Sequence, residues 1–224
     1  MGSPPVAVPA VSRETPRIRV FVDFGNLQLS LNEHEARATN QRPQDVRFKI
    51  DWRGFPQWAA TKAAEVTRVP KFAFEGAIIY SSYNPGTAEG RGFNNWATTW
   101  LNRQPGIQVQ ISPRRPRNAP RCSTCHHSIE NCPRPECRAA ISGTVEKGVD
   151  TAIATDMIRL AWEDAYEIAV LVTSDADLVP AVKFLDLKGR RVVQGGFPPY
   201  GVDLATACWA SFDIFPDRNL IRRP

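Results

Sequence analysis

The 224-residue chain has no apolar run long enough to span a bilayer, and its N-terminus lacks the basic-then-apolar pattern of a secretory signal. A cytoplasmic protein is therefore expected. No Gly-x-Gly-x-x-Gly follows the first candidate strand, which argues against dinucleotide binding. That strand does not end in Asp-x-Asp either, which disfavours an aspartyl phosphatase of the haloacid type. Cysteine is scarce outside one place: of five, four fall between positions 122 and 137. In a reducing compartment such crowding argues for a metal site over disulfides. The fifth, Cys208 in Ala-Thr-Ala-Cys-Trp, reads as a small buried hydrophobe.

What remains is ordinary globular material, 42% hydrophobic and 23% charged, with a formal net charge of +5. The length suits one α/β domain with an insertion, and the charge mildly favours a polyanionic partner. Residues 1–16, rich in proline and small side chains, read as a flexible leader. Apolar runs then alternate with stretches of helical periodicity through 17–216, the pattern of a mainly parallel sheet covered on both faces. A basic segment, 113–138, interrupts the alternation, and a basic tail, 217–224, reads as mobile. Residues 34–52 read as a polar connection, and Trp96 and Trp100 as core residues on one helical face.

Acids recur where the apolar runs stop. Ile168–Val172 passes through Thr173-Ser174 into Asp175-Ala176-Asp177, and Val20-Phe21-Val22 ends in Asp23, with Asn26 three positions on. Open α/β sheets bind ligands beyond the carboxyl ends of their strands. Each acid also has a plainer reading: Ser174-x-x-Asp177 fits a capping box, and Asn26 a helix cap. A third acid, Asp150 in Lys147-Gly148-Val149-Asp150, opens another helix; Asp156, six residues later, lies well round that helix. Were Asp23, Asp150, Asp175 and Asp177 to share one edge, their repulsion would call for a hard divalent cation such as Mg²⁺ or Mn²⁺. Arg91 is a plausible but unspecific phosphate contact.

The cysteines are spaced Cys122-x2-Cys125-x6-Cys132-x4-Cys137, which suits a structural four-cysteine zinc site in a segment too small for a core. Arg114, Arg115, Arg117 and Arg121 precede it, either to neutralise phosphates or as a solvated linker.

Val20-Phe21-Val22-Asp23-x-x-Asn26, Lys147-Gly148-Val149-Asp150 and Thr173-Ser174-Asp175-x-Asp177, in this order, closely resemble the NYN domain, a branch of the PIN-like metal-dependent ribonucleases. The resemblance runs over about 17–216 and leaves most of the cysteine insertion outside the family's shared core. It implies a three-layer α/β/α fold whose acidic pocket binds Mg²⁺ or Mn²⁺ and cleaves RNA. The activity expected from this is an endoribonuclease acting on single-stranded or structured RNA, although the sequence itself does not distinguish endo- from exonucleolytic cleavage. By that likeness Asp23, Asp150 and Asp175 would be the main metal ligands and Asp177 would complete the pocket. Asn26 and Ser174 would position ligands or water. Apart from the likeness, Lys147, Arg91, Arg114 and Arg115 are the candidate substrate contacts. The competing reading is a non-catalytic RNA-binding or regulatory module with the same fold. The sequence leaves the oligomeric state open, a homodimer included.

Overall fold

The computed structural model describes residues 15–141 and 143–224. Most of the leader read over 1–16, and Ser142 in the short extended piece after Cys137, lie outside the described residues.

The chain opens with β1 (Arg17–Asp23), α1 (Phe24–Thr39), α2 (Phe55–Val66), β2 (Ala73–Tyr83), α3 (Ala88–Thr99) and β3 (Ile107–Pro113). A two-residue strand pair, β4 (Arg115–Pro116) and β5 (Thr144–Val145), brackets the cysteine segment. Then follow α4 (Val149–Trp162), β6 (Ile168–Val172), α5 (Val179–Leu187), β7 (Arg191–Gly196), α6 (Val202–Ala207) and β8 (Ala210–Asp213).

Six strands form one sheet in the order β3-β2-β1-β6-β7-β8, every neighbouring pair parallel. Alternation along β1 sends Ile18, Val20 and Val22 to one face, where they pack with Leu27 and Leu31 of α1 and Phe55, Ala59 and Ala63 of α2. Phe21 points to the other face, among Ile153 and Met157 of α4 and Val182 and Leu185 of α5. All five residues of β6 are buried, as a strand covered on both faces requires. The layers are thus helix, sheet, helix. No helix among the described residues is long and apolar enough to cross a membrane.

Two boundaries differ from the sequence reading. α1 continues through 34–39, where a polar connection was expected, because it buries only a narrow stripe (Leu27, Leu31, Ala36) and shows polar residues elsewhere. It stops at Asn40, which adopts the left-handed conformation and returns its N–H to Ala36 and Arg37. The tail read as mobile is pinned instead. Ile221 is fully buried, Arg222 bridges to Ile50, and Arg218 and Arg222 both pair with Glu35. The charges of the tail advertised a solvated end; one isoleucine and one glutamate hold it down.

The switch in chain direction lies between β1 and β6. From β1 the chain winds outward through β2 to β3, and from β6 it winds the other way through β7 to β8. The crevice beyond two such strands is where doubly wound sheets seat their ligands.

Candidate active site

β1 and β6 run in register, Val22 beside Val172, so Asp23 and Thr173 leave the sheet together. Asp23 is only 6% exposed and does the capping that the sequence suggested for Asn26. Its Oδ1 accepts the Asn26 N–H at 3.0 Å, and Thr173 Oγ1 donates to its Oδ2 at 3.4 Å. The Asn26 side chain serves elsewhere. Its Oδ1 accepts the Ser174 N–H at 3.0 Å, tying the start of α1 to the loop after β6. That loop is fixed from the far side by Gln194, whose Nε2 donates to the Thr173 carbonyl at 2.9 Å.

Beyond Ser174 the chain makes a single 3₁₀ turn, 176–178, before α5. Asp175 caps it, accepting the Asp177 N–H at 2.9 Å. The capping box read at Ser174-x-x-Asp177 is not formed: Ser174 Oγ is buried without a hydrogen-bond partner. Asp175 and Asp177 nonetheless meet Asp150, delivered by the first turn of α4. One carboxylate oxygen from each of the three lies within 4.8 Å of the others. Capping and clustering are therefore not alternatives here; Asp175 does both.

Such crowding has an electrostatic cost. Burial pushes the Asp23 carboxyl up to about 6, reinforced by Glu146 and Asp150 and opposed by the Asn26 N–H. Asp150 is also raised, first by burial, then by the charges of Asp175, Glu146 and Asp177. Glu146 went unnoticed in the sequence. It accepts a short hydrogen bond from Ser82 Oγ and pairs with Arg114 at 3.5 Å, while Arg114 Nε donates to Ser82 at 2.9 Å. Its only signal was its place in the loop that leads into α4, four residues before Asp150.

The remaining expected residues are less gathered. Arg114 reaches the acidic edge through Glu146 and Ser82. Arg115 is exposed on β4, Lys147 is exposed in the loop before α4, and Arg91 is turned onto the Pro85 carbonyl at 2.9 Å. Asp156 does not join the cluster. It is buried beneath α4, accepting from Tyr80 Oη at 2.9 Å and from Gln110, with Arg159 at 3.2 Å.

Cys122 and Cys125 occupy one small hairpin closed by the Arg121–Ser128 bridge, and Cys132 and Cys137 a second closed by Asn131–Ala140. In each, the residue after the second cysteine, His126 or Arg138, takes the left-handed conformation. Backbone N–H groups of Cys125 and Thr124 lower the Cys122 thiol below its ordinary value. Among the described residues, no three of these sulfurs reach the mutual spacing of the three aspartates. Cys208, expected to be buried, is only partly so; it packs against the α4–α5 face of the core, and the burial it has pushes its thiol up to about 12.

Comparison with known proteins agrees with the architecture. The chain is similar to a crystal structure of a protein of unknown function from Vibrio parahaemolyticus RIMD 2210633, with 17% identity and a TM-score of 0.54, covering 96% of this chain and 100% of that one. At that identity the likeness speaks for the fold. Among curated protein sequences no match is found. The profile of the NYN domain matches residues 17–209, a span that holds Asp23, Asp150, Asp175 and Asp177, and the chain belongs to the NYN domain family.

Proposed function

We propose that the protein is a metal-dependent ribonuclease, cutting RNA phosphodiester bonds as an endonuclease with Mg²⁺ or Mn²⁺. The observation that carries the proposal is the convergence of Asp150, Asp175 and Asp177 at the switch point, with Asp23 beside them. The donor set fits such an ion in kind: the candidate ligands are all carboxylate oxygens, within 4.8 Å of one another, and the nearby Ser174 hydroxyl is buried and unsatisfied. Asp150, Asp175 and Asp177 would hold the ion, and Asp23 would complete the set directly or through water. When bound, it supplies positive charge beside the scissile phosphate and makes a water more acidic.

The chain's own residues do the rest. Asn26 and Thr173 fix the two strand exits relative to each other, so the carboxylates are positioned before substrate arrives. Arg114, steadied by Ser82 and Glu146, and the exposed Arg115 and Lys147 offer cations to the flanking phosphates. The reading also assigns Cys122, Cys125, Cys132 and Cys137 to a structural Zn²⁺. Its support is the pair of matched hairpins and the backbone N–H groups aimed at the Cys122 sulfur, which favour the thiolate that zinc takes.

The test is incubation of the full chain with single-stranded and structured RNA in Mn²⁺ or Mg²⁺, alongside Asp23→Asn and Asp175→Asn. Internal cleavage is expected, falling by about a hundredfold in each variant and stopping in chelator. Cleavage of equal strength in the variants or in chelator would remove the enzyme reading. Calorimetric titration with Mn²⁺ should show binding that Asp175→Asn weakens.

A further inference from the structure

A cleft of about 450 Å³ lies between α1 and α3. Phe24 forms one wall and directly follows Asp23, so the cleft begins one residue from the acidic edge. Phe93, Trp96 and Trp100 of α3 line the opposite wall. The sequence presents these two tryptophans as core, but both are only partly buried. Their rings stack on each other at 5.7 Å and 18°, and Phe24 and Phe93 continue the aromatic surface at 4.8 Å. The floor is closed by Trp52, which stacks on Phe24 at 5.6 Å and 19°.

The rim carries charge of mostly one sign. Arg47, Lys49 and Arg223 line the cleft and are exposed, against the single acid Glu89. Arg223 is held there by its N–H on the Lys49 carbonyl at 2.8 Å, so the docked tail builds one side of the rim. No ion pair among the described residues engages Arg47, Lys49 or Arg223. Flat aromatic rings below unpaired cations are the pairing of surfaces that a strand of unpaired nucleotides presents in reverse: bases with π-faces on a phosphate chain. A duplex keeps its bases stacked within itself and offers none to such a wall.

We propose that this cleft binds single-stranded RNA, with bases stacked against the α3 aromatics and phosphates along Arg47, Lys49 and Arg223. The strand then leads past Phe24 to the carboxylates, so the cleft selects unpaired RNA for the acidic site. This rests on the ribonuclease reading for its purpose, but its binding chemistry can be measured apart from cleavage.

The experiment uses the full chain in chelator, where binding is read without hydrolysis, by fluorescence anisotropy of a labelled RNA of about twelve nucleotides. The probes are the single strand, a duplex of the same length and an abasic strand of the same charge. The single strand should bind tightest and quench tryptophan fluorescence. Trp100→Leu should weaken it about tenfold. Arg47→Gln with Lys49→Gln, both on the surface, should weaken all three probes and flatten the salt dependence by about two. Asp175→Asn should bind like the unaltered chain while losing cleavage, which separates the two readings. Binding that is unchanged in the Arg47/Lys49 double variant, or an abasic strand as tightly held as the intact one, would overturn the cleft assignment even if RNA is cleaved. Binding that behaves as expected without cleavage in any metal would overturn the nuclease and leave the cleft.

Discussion

Asp23 is buried, caps α1 through Oδ1, and faces Glu146 and Asp150. Its proton is held more tightly in the folded chain than in the unfolded one, where the carboxyl titrates near 3.8. The contribution of this group to stability is therefore greatest below 3.8 and declines as pH rises through the window from 3.8 to about 6. At neutral pH the charged carboxylate costs up to about 3 kcal/mol in the absence of metal. Asp23→Asn keeps an oxygen to accept the Asn26 N–H and discards the charge. Urea unfolding in chelator should show the variant about 1–3 kcal/mol more stable at neutral pH, with the difference gone in acid below 3.8. A variant equally or less stable at neutral pH would show that burial does not burden this carboxyl. The strand-end acid was legible in the sequence. Its capping was not, because the same short spacing lets either Asp23 or Asn26 serve, and only the geometry of the turn chooses.

α4 has two acidic positions with opposite fates. Asp150, in its first turn, is aimed at the loop after β6; Asp156 is turned beneath the helix onto Tyr80 of β2 and Gln110 of β3. Helical geometry already separated their directions in the sequence, but what waited under Asp156 depended on which strands α4 crosses. Burial first, then the charge of Asp156 and its hydrogen bond, hold the proton on the Tyr80 hydroxyl more tightly than usual. The network straps α4 to the sheet and so holds Asp150 in place. Asp156→Ala leaves the Tyr80 hydroxyl buried without its acceptor and should cost about 2–3 kcal/mol in denaturant unfolding. Adding Tyr80→Phe removes the stranded hydroxyl and should recover part of that loss, the coupling being read from the double-mutant cycle. Additive effects would mean the strap does not exist.

At the scale of the whole molecule, two regions are held by different forces. The sheet and its helices carry two apolar clusters, one on each face, whereas no described residue from 113 to 148 is buried. A segment with no core needs another source of order, and on the zinc proposal the four cysteines would supply the ligands for one. Purified protein should contain close to one equivalent of zinc by elemental analysis. Stripping it should expose the segment to proteolysis within 117–141 while the α/β core survives as protected fragments. Four freely titrating thiols with no zinc would reject the site, and loss of the whole fold on chelation would show that the segment is not independent of the core.

The sequence by itself determined the alternation of buried strands and amphipathic helices, the acids at the strand ends, and the cysteine spacing, because those signals are written in residues a few positions apart. Only the tertiary structure decided that β6 lies against β1, so that Asp150, Asp175 and Asp177 gather at the switch point within electrostatic reach of Asp23, more than a hundred residues earlier in the chain. It also decided that Ile221 buries the tail, and that the α3 aromatics face a cationic cleft. Parallel pairing and docking are long-range choices: any of several strand orders satisfies the same local pattern, and the one adopted is the packing that covers both faces of the sheet at once.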